Sequence, residues 1–409
     1  MSSLEAQELT KRAGKTTIVD DVSFSLQAGE LFVILGPPES GKTTLLRMLS
    51  GLEPPDRGRV LINGEDVTDV PAAQRGVGML FQHGYGLIPH MTASENMALP
   101  LQHALISRDG MEYRISKIAQ SLHIAHLLER KVNSLTDSER LHVALARALV
   151  KDPAVYLFDD PLARLDTPTR LAARRELVEI QQSRRLSCVY VTSDPEDAFA
   201  LANHVALIYQ GKIQQIGTRA ELVNEPATLW VAQWLGFPPM NILNGYVQGT
   251  YHQEGVRYRV WAQGFTPLLS AHWTQLIYSL RSEEIILGVR PERIIPQWEF
   301  AEKWKPSLYT LPGEVVASEW HQGKTVAQLR LPHVEEPFMA VFEIAHDQLR
   351  IGQSINLAFD PDEFCLFHPQ TKELLHPLMS PVPVNVPLGR VRKRPLLDFL
   401  ERRRSGPIA

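Results

Sequence analysis

The chain has 409 residues, with 42 lysines and arginines against 46 acidic residues and a formal net charge of −4. This length allows two or three domains with buried cores. Direct nucleic-acid binding has little support, because the basic charge is confined to the C-terminal tail. The sequence has no apolar run near the roughly 18 residues that span a bilayer, and its N-terminus lacks the apolar core of a signal peptide. We therefore expect any function at a membrane to depend on partner proteins.

The two cysteines, Cys188 and Cys365, lie far apart and lack metal-ligand spacing. Such sparse cysteine usage is typical of proteins in a reducing compartment. Cys188 falls in the apolar segment 186–191, so we expect its thiol to be buried in a core strand.

The first half of the sequence alternates strand-like and helix-like segments, which predicts an α/β domain with a largely parallel sheet over residues 1–235. Residues 31–35 are a continuous apolar run that ends at a glycine-containing loop, and a helix is expected from Thr43 onward. The spacing of apolar residues in 84–150 predicts a helical subdomain. A second buried strand at 155–158 ends in two aspartates.

The character of the sequence changes after residue 235. Short segments of alternating apolar and polar residues, such as 256–260 and 325–329, are separated by glycine, proline and asparagine. This pattern predicts a small all-β, barrel-like domain over residues 236–378.

Residues 379–409 are predicted to form a proline-rich basic tail. Between residues 376 and 409, seven lysines and arginines minus two acidic residues leave a charge of +5. We expect this tail to be flexible and solvated. The alternative is that 395–401 forms a short amphipathic helix that docks on a partner or a lipid surface.

The loop between the first buried strand and the first helix has the pattern GxxxxGK[ST]. In this pattern backbone N–H groups surround the phosphates of a nucleotide, the lysine reaches the terminal phosphates and the hydroxyl group binds Mg²⁺. Lys42 and Thr43 occupy the last two positions. The predicted nucleotide-binding residues are Gly36, Pro37, Pro38, Glu39, Ser40, Gly41, Lys42, Thr43 and Thr44.

Further motifs follow this loop in a fixed order, which argues against a chance match. They are Phe81-Gln82, the segment Leu135 to Glu139 before an alanine-rich helix, Asp159-Asp160, Leu165-Asp166, and the segment 191–194. Together they resemble the nucleotide-binding subunits of ABC transporters, over essentially residues 5–375. The segments 85–97, 236–241, 287–292 and 359–367 narrow the resemblance to importers of the maltose and glycerol-phosphate type.

The resemblance implies a P-loop NTPase ABC domain with a helical subdomain. It also implies that an all-β, oligonucleotide-fold-like regulatory domain follows and helps two subunits dimerise. It implies ATP and Mg²⁺ as cofactors, with Thr43, Gln82 and Asp159 as the magnesium ligands. It also implies transmembrane permease subunits as partners, a periplasmic or extracellular solute-binding protein as an indirect partner, and a peripheral position on the cytoplasmic face of the membrane. Gln82 and residues 85–90 would couple ATP binding to the permease.

Two departures from the family pattern concern nucleotide binding. Family members usually carry an aromatic residue near the start of the chain that stacks on adenine, whereas this sequence has Ala13. Losing such a stack costs about 1–3 kcal/mol. Within the loop, Pro38 has no N–H to donate, and Glu39 is expected to place a carboxylate near the terminal phosphate. The alternative is that Glu39 points to solvent or pairs with a basic residue of a partner. We expect weaker binding of ATP rather than its loss.

Two departures concern hydrolysis. Asp160 stands where the family has a catalytic glutamate, and Ser193 replaces the switch histidine that contacts the γ-phosphate. A general base contributes roughly 10²–10⁴-fold to the rate and must lie within hydrogen-bond reach of the water. Because aspartate is one methylene shorter, we expect most of this factor to be lost.

The fifth departure is in the signature motif, which usually reads Leu-Ser-Gly-Gly-Gln. Its glycines allow a helix N-terminus to approach ATP held by the partner subunit. In this sequence the positions are Leu135, Thr136, Asp137, Ser138 and Glu139. Two carboxylates beside this contact are expected to repel a phosphate. The alternative is that they only stabilise the N-terminus of a helix.

These departures lead to a specific functional hypothesis. We expect a non-catalytic or weakly catalytic ATP-binding subunit of a carbohydrate importer, paired with a second, active ATPase subunit in a heterodimer. The alternatives are a regulatory or scaffold protein that acts through its β-domain, and an ordinary ATPase that tolerates unusual motifs.

Overall fold

The computed structural model describes residues 2–82, 84–102, 106–252, 255–271, 273–280, 283–345 and 349–375. The chain divides into two compact units between Asn224 and Glu225, which is earlier than the predicted boundary after residue 235. The predicted basic tail, 379–409, lies outside the described residues. Within the described ranges, no helix combines the length and the apolar character that a bilayer crossing requires.

The first unit contains two sheets. Its strands are β1 (Ser2–Ala13), β2 (Thr16–Gln27), β3 (Leu31–Leu35), β4 (Arg57–Ile62), β5 (Glu65–Asp66), β6 (Val77–Leu80), β7 (Val155–Asp159), β8 (Cys188–Thr192), β9 (His204–Tyr209) and β10 (Lys212–Gly217). One sheet is antiparallel with the order β2-β1-β4-β5, and the other has the order β10-β9-β3-β8-β7-β6.

In the six-stranded sheet, the neighbouring strands from β9 through β6 are parallel and only β10 is antiparallel. Every residue of β3, β7 and β8 is buried, which explains why these strands appear in the sequence as continuous apolar runs. The largely parallel sheet predicted for the first half is therefore confirmed, and Cys188 is buried in β8 as expected.

The helices of the first unit cover this sheet and form the helical region between β6 and β7. They are α1 (Lys42–Ser50), α2 (Ala93–Ala98), α3 (Arg108–Ser121), α4 (Asp137–Leu149), α5 (Thr167–Arg184), α6 (Pro195–Leu201) and α7 (Arg219–Asn224). Side chains cap the first turns of several of them: Thr92 caps α2, Thr136 caps α4 and Asp166 caps α5. These N-caps fix the residue at which each helix begins.

The second unit is rich in β structure. Its elements are α8 (Leu229–Trp234), β11 (Asn241–His252), β12 (Gly255–Trp261), α9 (Trp273–Ser279), β13 (Glu284–Val289), β14 (Ile295–Pro296), α10 (Phe300–Lys303), β15 (Tyr309–His321), β16 (Lys324–Arg330), β17 (Phe338–Phe342), β18 (Ser354–Phe359), β19 (Cys365–Phe367) and β20 (Leu374–Leu375).

The strands of the second unit form two antiparallel sheets, with the orders β12-β11-β13-β19-β20 and β14-β18-β15-β16-β17. Both sheets contribute to one apolar core, with Val260 and Leu287 from the first sheet and Val315 and Leu357 from the second. The predicted β-domain is thus confirmed as two antiparallel sheets around a shared core, and it also carries the short helices α9 and α10.

Candidate nucleotide-binding site

The loop 36–41 connects the carboxyl end of β3 to the first turn of α1. A Cβ on Gly36 would lie 2.2 Å from the carbonyl oxygen of Ile208, so a side chain does not fit there. Glu39 has a left-handed φ of 63°, which glycine adopts at much lower cost, and its side chain is exposed. The loop therefore keeps a tight course in spite of a residue that is poorly suited to it.

The Lys42 side chain is held by hydrogen bonds to the backbone of this loop. Its Nζ donates hydrogen bonds to the carbonyl oxygens of Gly36 and Pro37, at 2.8 and 2.6 Å, and lies 3.3 Å from Ser40 Oγ. Burial lowers the pKa of Lys42, while the charges of Asp160 and Asp159 act in the opposite direction. The ammonium group is thus fixed where the motif requires a phosphate-binding lysine.

The predicted magnesium ligands Thr43 and Asp159 are in direct contact. Thr43 Oγ1, in the first turn of α1, donates to Asp159 Oδ1 at 3.1 Å. Asp159 is the last residue of β7 and is buried. A hydroxyl and a carboxylate oxygen are the hard ligands that Mg²⁺ prefers, so this pair fits the ion. Gln82, the third predicted ligand, follows β6, whose parallel partner is β7.

Asp160 is fixed in a way that the sequence did not indicate. It has a left-handed φ of 44°, and Thr192 Oγ1 on the neighbouring strand β8 donates to its Oδ1 at 3.0 Å. Burial raises the pKa of Asp160, and the hydrogen bond from Thr192 opposes this effect. One oxygen of this short carboxylate is therefore engaged by the protein.

Ser193 lies between the end of β8 and the start of α6, and the structure around it is well ordered by hydrogen bonds. Thr192 Oγ1 accepts a hydrogen bond from Asp194 N at 3.0 Å, and the Asp194 carboxylate caps α6 through Glu196 N at 2.7 Å. The frame that positions residue 193 is therefore complete, although its side chain is short.

A buried ion cluster, which sequence reasoning missed, anchors this frame to α5. Asp197 is completely buried, and its carboxylate accepts hydrogen bonds from Arg170 and Arg174. Arg170 also lies 2.9 Å from Asp194 Oδ2. The spacing of two arginines four residues apart on one helix was the only sequence signal for this cluster.

The signature segment lies at the start of α4. Thr136 is the N-cap: its Oγ1 accepts from Glu139 N at 3.3 Å, and Thr136 N donates to Glu139 Oε2 at 2.8 Å. Glu139 also pairs with Arg130 at 2.8 Å, and Asp137 pairs with Arg140 at 3.2 Å.

Leu135 is buried beneath this turn and Ser138 lies within it. The hydrogen bond from the Thr136 N–H lowers the pKa of Glu139. Glu139 is therefore a capping-box residue whose charge is shared inside the chain. The repulsion of a phosphate by Asp137 and Glu139 stays a prediction, but each carboxylate also pairs with an arginine of its own chain, Arg140 and Arg130 respectively.

The segment after Gln82 is tied to the other end of α4. Arg147 donates to the carbonyl oxygens of Gly86 and of Tyr85, the latter at 2.8 Å. Tyr85 has a left-handed φ of 54° and is buried. Burial lowers the pKa of Arg147. Arg147, which was also not predicted from the sequence, holds this left-handed turn in place.

A strand, a loop with lysine and threonine, and paired aspartates at the carboxyl end of β7 in the same sheet define a P-loop nucleotide-binding protein. A family model described as ABC transporter matches residues 19–163. A solved structure of cbiO1 from Clostridium perfringens, described as part of the ABC transporter complex cbiONQ, aligns with a TM-score of 0.50 and 21% identity. This alignment covers 54% of this chain and 90% of that chain, and it shows a shared fold.

Two relatives extend the similarity over most of the chain. It is 36% identical over 363 residues to the sn-glycerol-3-phosphate import ATP-binding protein UgpC of Bordetella avium (strain 197N), covering 88% of this chain and 95% of that protein. It is 33% identical over 340 residues to the maltose/maltodextrin import ATP-binding protein MalK of Escherichia coli (strain K12), covering 82% and 88%. The chain belongs to the ABC transporter family of import ATP-binding proteins, which confirms the resemblance inferred from its motifs.

Proposed function

We propose that this chain is the ATP-binding subunit of a membrane importer for a sugar or sugar-like solute. It binds ATP with Mg²⁺, is non-catalytic or weakly catalytic, and works beside a second, active ATPase subunit. The relatives named for import of glycerol phosphate and maltodextrin support the solute class. Its place is on the cytoplasmic face of the membrane, against transmembrane permease subunits, with a solute-binding protein outside.

The contrast between the retained Lys42 and Thr43 of the phosphate loop and the altered catalytic positions carries this proposal. Lys42 and the contact between Thr43 and Asp159 suit the binding of a triphosphate, and Mg²⁺ would neutralise charge on the phosphates. Asp160 has the shorter side chain and is bonded to Thr192. Since a base must reach the attacking water, this arrangement favours binding over hydrolysis.

The signature segment points in the same direction. In the family, a site forms between one subunit's phosphate loop and the other subunit's signature. The Thr136 hydroxyl donates to Glu139 Oε2 at 3.1 Å and also accepts from Glu139 N, so it is already used within its own helix cap. Two copies of this chain would therefore form two poor sites, whereas an active partner supplies its own catalytic loop. Gln82 and residues 85–90 would transmit ATP binding to the permease.

The test is to purify a tagged chain from its native membrane, identify every co-purifying ATPase and permease, and measure transport and ATP hydrolysis. We expect a second ATPase, whose catalytic Glu→Gln change stops transport, while Asp160→Asn in this chain changes it little. A large loss from Asp160→Asn would overturn the proposal. Steady hydrolysis by this chain alone, abolished by Lys42→Ala, would instead indicate an ordinary ATPase. Absence of permease from the purified material would favour a regulatory protein.

A further inference from the structure

His142 lies in the second turn of α4, and its half-buried imidazole has an acceptor at each nitrogen. Nδ1 is 2.7 Å from the carbonyl oxygen of Ser138, and Nε2 is 2.7 and 2.9 Å from the two carboxylate oxygens of Glu176 on α5. A carbonyl oxygen and an ionised carboxylate accept hydrogen bonds but donate none. Donation to both acceptors at once requires a hydrogen on each nitrogen, which is the charged imidazolium form.

The surroundings reinforce this interaction. The apolar side chains that line the same contact between the helices are Leu141, Leu145, Ala173 and Leu177. The charged groups that act on the imidazole are Glu176 on α5 and Glu139 on α4 itself. The hydrogen bond to Glu176 raises the pKa of His142, and burial acts against it.

The two helices that meet here carry different parts of the site. His142 binds the carbonyl oxygen of Ser138, which belongs to the signature turn. α5 also bears Arg170 and Arg174, which hold Asp197 in α6, the helix that begins two residues after Ser193. A contact between α4 and α5 at this point therefore connects the signature turn with the helix that anchors the switch position.

We propose that His142 and Glu176 form a proton-dependent clamp between α4 and α5, closed when His142 is protonated and weakened when it is neutral. In neutral imidazole only one nitrogen carries a hydrogen, so either Ser138 or Glu176 loses its partner. Whichever bond is lost, the link from the signature turn through His142 to α5 is broken at one of its two ends. This inference does not depend on whether the chain hydrolyses ATP.

The direct test is NMR titration of the full chain labelled with ¹³C-histidine, with His142 assigned by His142→Gln. We expect the pKa of His142 to lie above the usual value of about 6.5, and Glu176→Gln to lower it. A pKa at or below the usual value, or one unchanged in Glu176→Gln, would overturn the proposal. If the His142 variant fails to fold, hydrogen exchange in Glu176→Gln still tests the proposal, because that readout needs no assignment of a histidine signal.

Hydrogen exchange supplies a second readout in the signature turn. Protection of the amides of 137–142 should fall between pH 6 and pH 9 in the wild-type chain, by roughly tenfold for each unit by which the pKa is raised. In Glu176→Gln this extra pH dependence should disappear. His204→Gln is the matched control, because His204 also lies 2.7 Å from a glutamate, Glu30, but is half exposed and far from α4 in sequence. Equal pH dependence in all three proteins would contradict the clamp.

Discussion

Removal of the Asp197 carboxylate tests whether the ion cluster between α5 and α6 supports the switch position. Asp197 is completely buried, and both of its oxygens accept hydrogen bonds from arginines. Removing one partner of a buried pair typically costs about 3–5 kcal/mol, because the remaining charge stays buried without compensation. Arg170 keeps its contact with Asp194 Oδ2 at 2.9 Å. We therefore expect Asp197→Ala to lower the free energy of unfolding by about 3 kcal/mol, near the lower end of this range.

Thermal and urea unfolding of the full chain measure this effect. For a unit of this size, each kcal/mol lowers Tm by about 2–4 °C, so the transition of the first unit should fall by about 6–12 °C. Glu112→Ala is the control, since it removes an exposed ion pair with Arg108 and should change stability by less than about 0.5 kcal/mol. A loss below about 1 kcal/mol for Asp197→Ala would refute the view that this cluster anchors α6.

Three further predictions concern the site. Gly41→Ala should abolish binding of a fluorescent ATP analogue, because Gly41 has a φ of 98° and a Cβ there would lie 2.5 Å from the Ile18 carbonyl oxygen. Retained affinity for the analogue would contradict this account of the loop. Arg147→Ala should destabilise the chain by about 1–3 kcal/mol in urea unfolding, because it leaves the Tyr85 carbonyl unpaired, and Arg147→Lys should recover part of the loss. Thr192→Val should raise the pKa of Asp160 further, since it removes the hydrogen bond that lowers it.

The Thr192 prediction has a definite sign with pH. Because burial raises the pKa of Asp160, this carboxyl group favours the folded state when it is protonated. That contribution to stability is fully present below the unfolded-state pKa and is lost as pH rises through the folded-state pKa. Thr192→Val should therefore lower Tm more at pH 7, where the carboxylate needs its hydrogen bond, than at pH 4. An equal loss at both pH values would show that the hydroxyl only fills space.

Much of the fold was readable from local sequence pattern. The strands β3, β7 and β8 appeared as apolar runs because both faces of the parallel sheet are covered, and α1 followed from the loop that precedes it. The alternating segments likewise predicted β12 and β16. The division between the units at Asn224 was less visible, because α8 lies in the second unit, where Leu229 N donates to the Lys372 carbonyl oxygen, a partner far along the chain.

The order of the motifs by itself determined the family and the residues of the phosphate loop. Binding of phosphates by backbone N–H groups needs particular residue types at fixed spacing, so the sequence alone reveals it. Only the tertiary structure decided how the altered positions behave. It paired Asp160 with Thr192, placed Glu139 in the capping box of α4 with Thr136, and joined His142 to Glu176. Side-chain partners on different elements depend on how those elements pack, and periodicity in the sequence reports burial but not the identity of the partner.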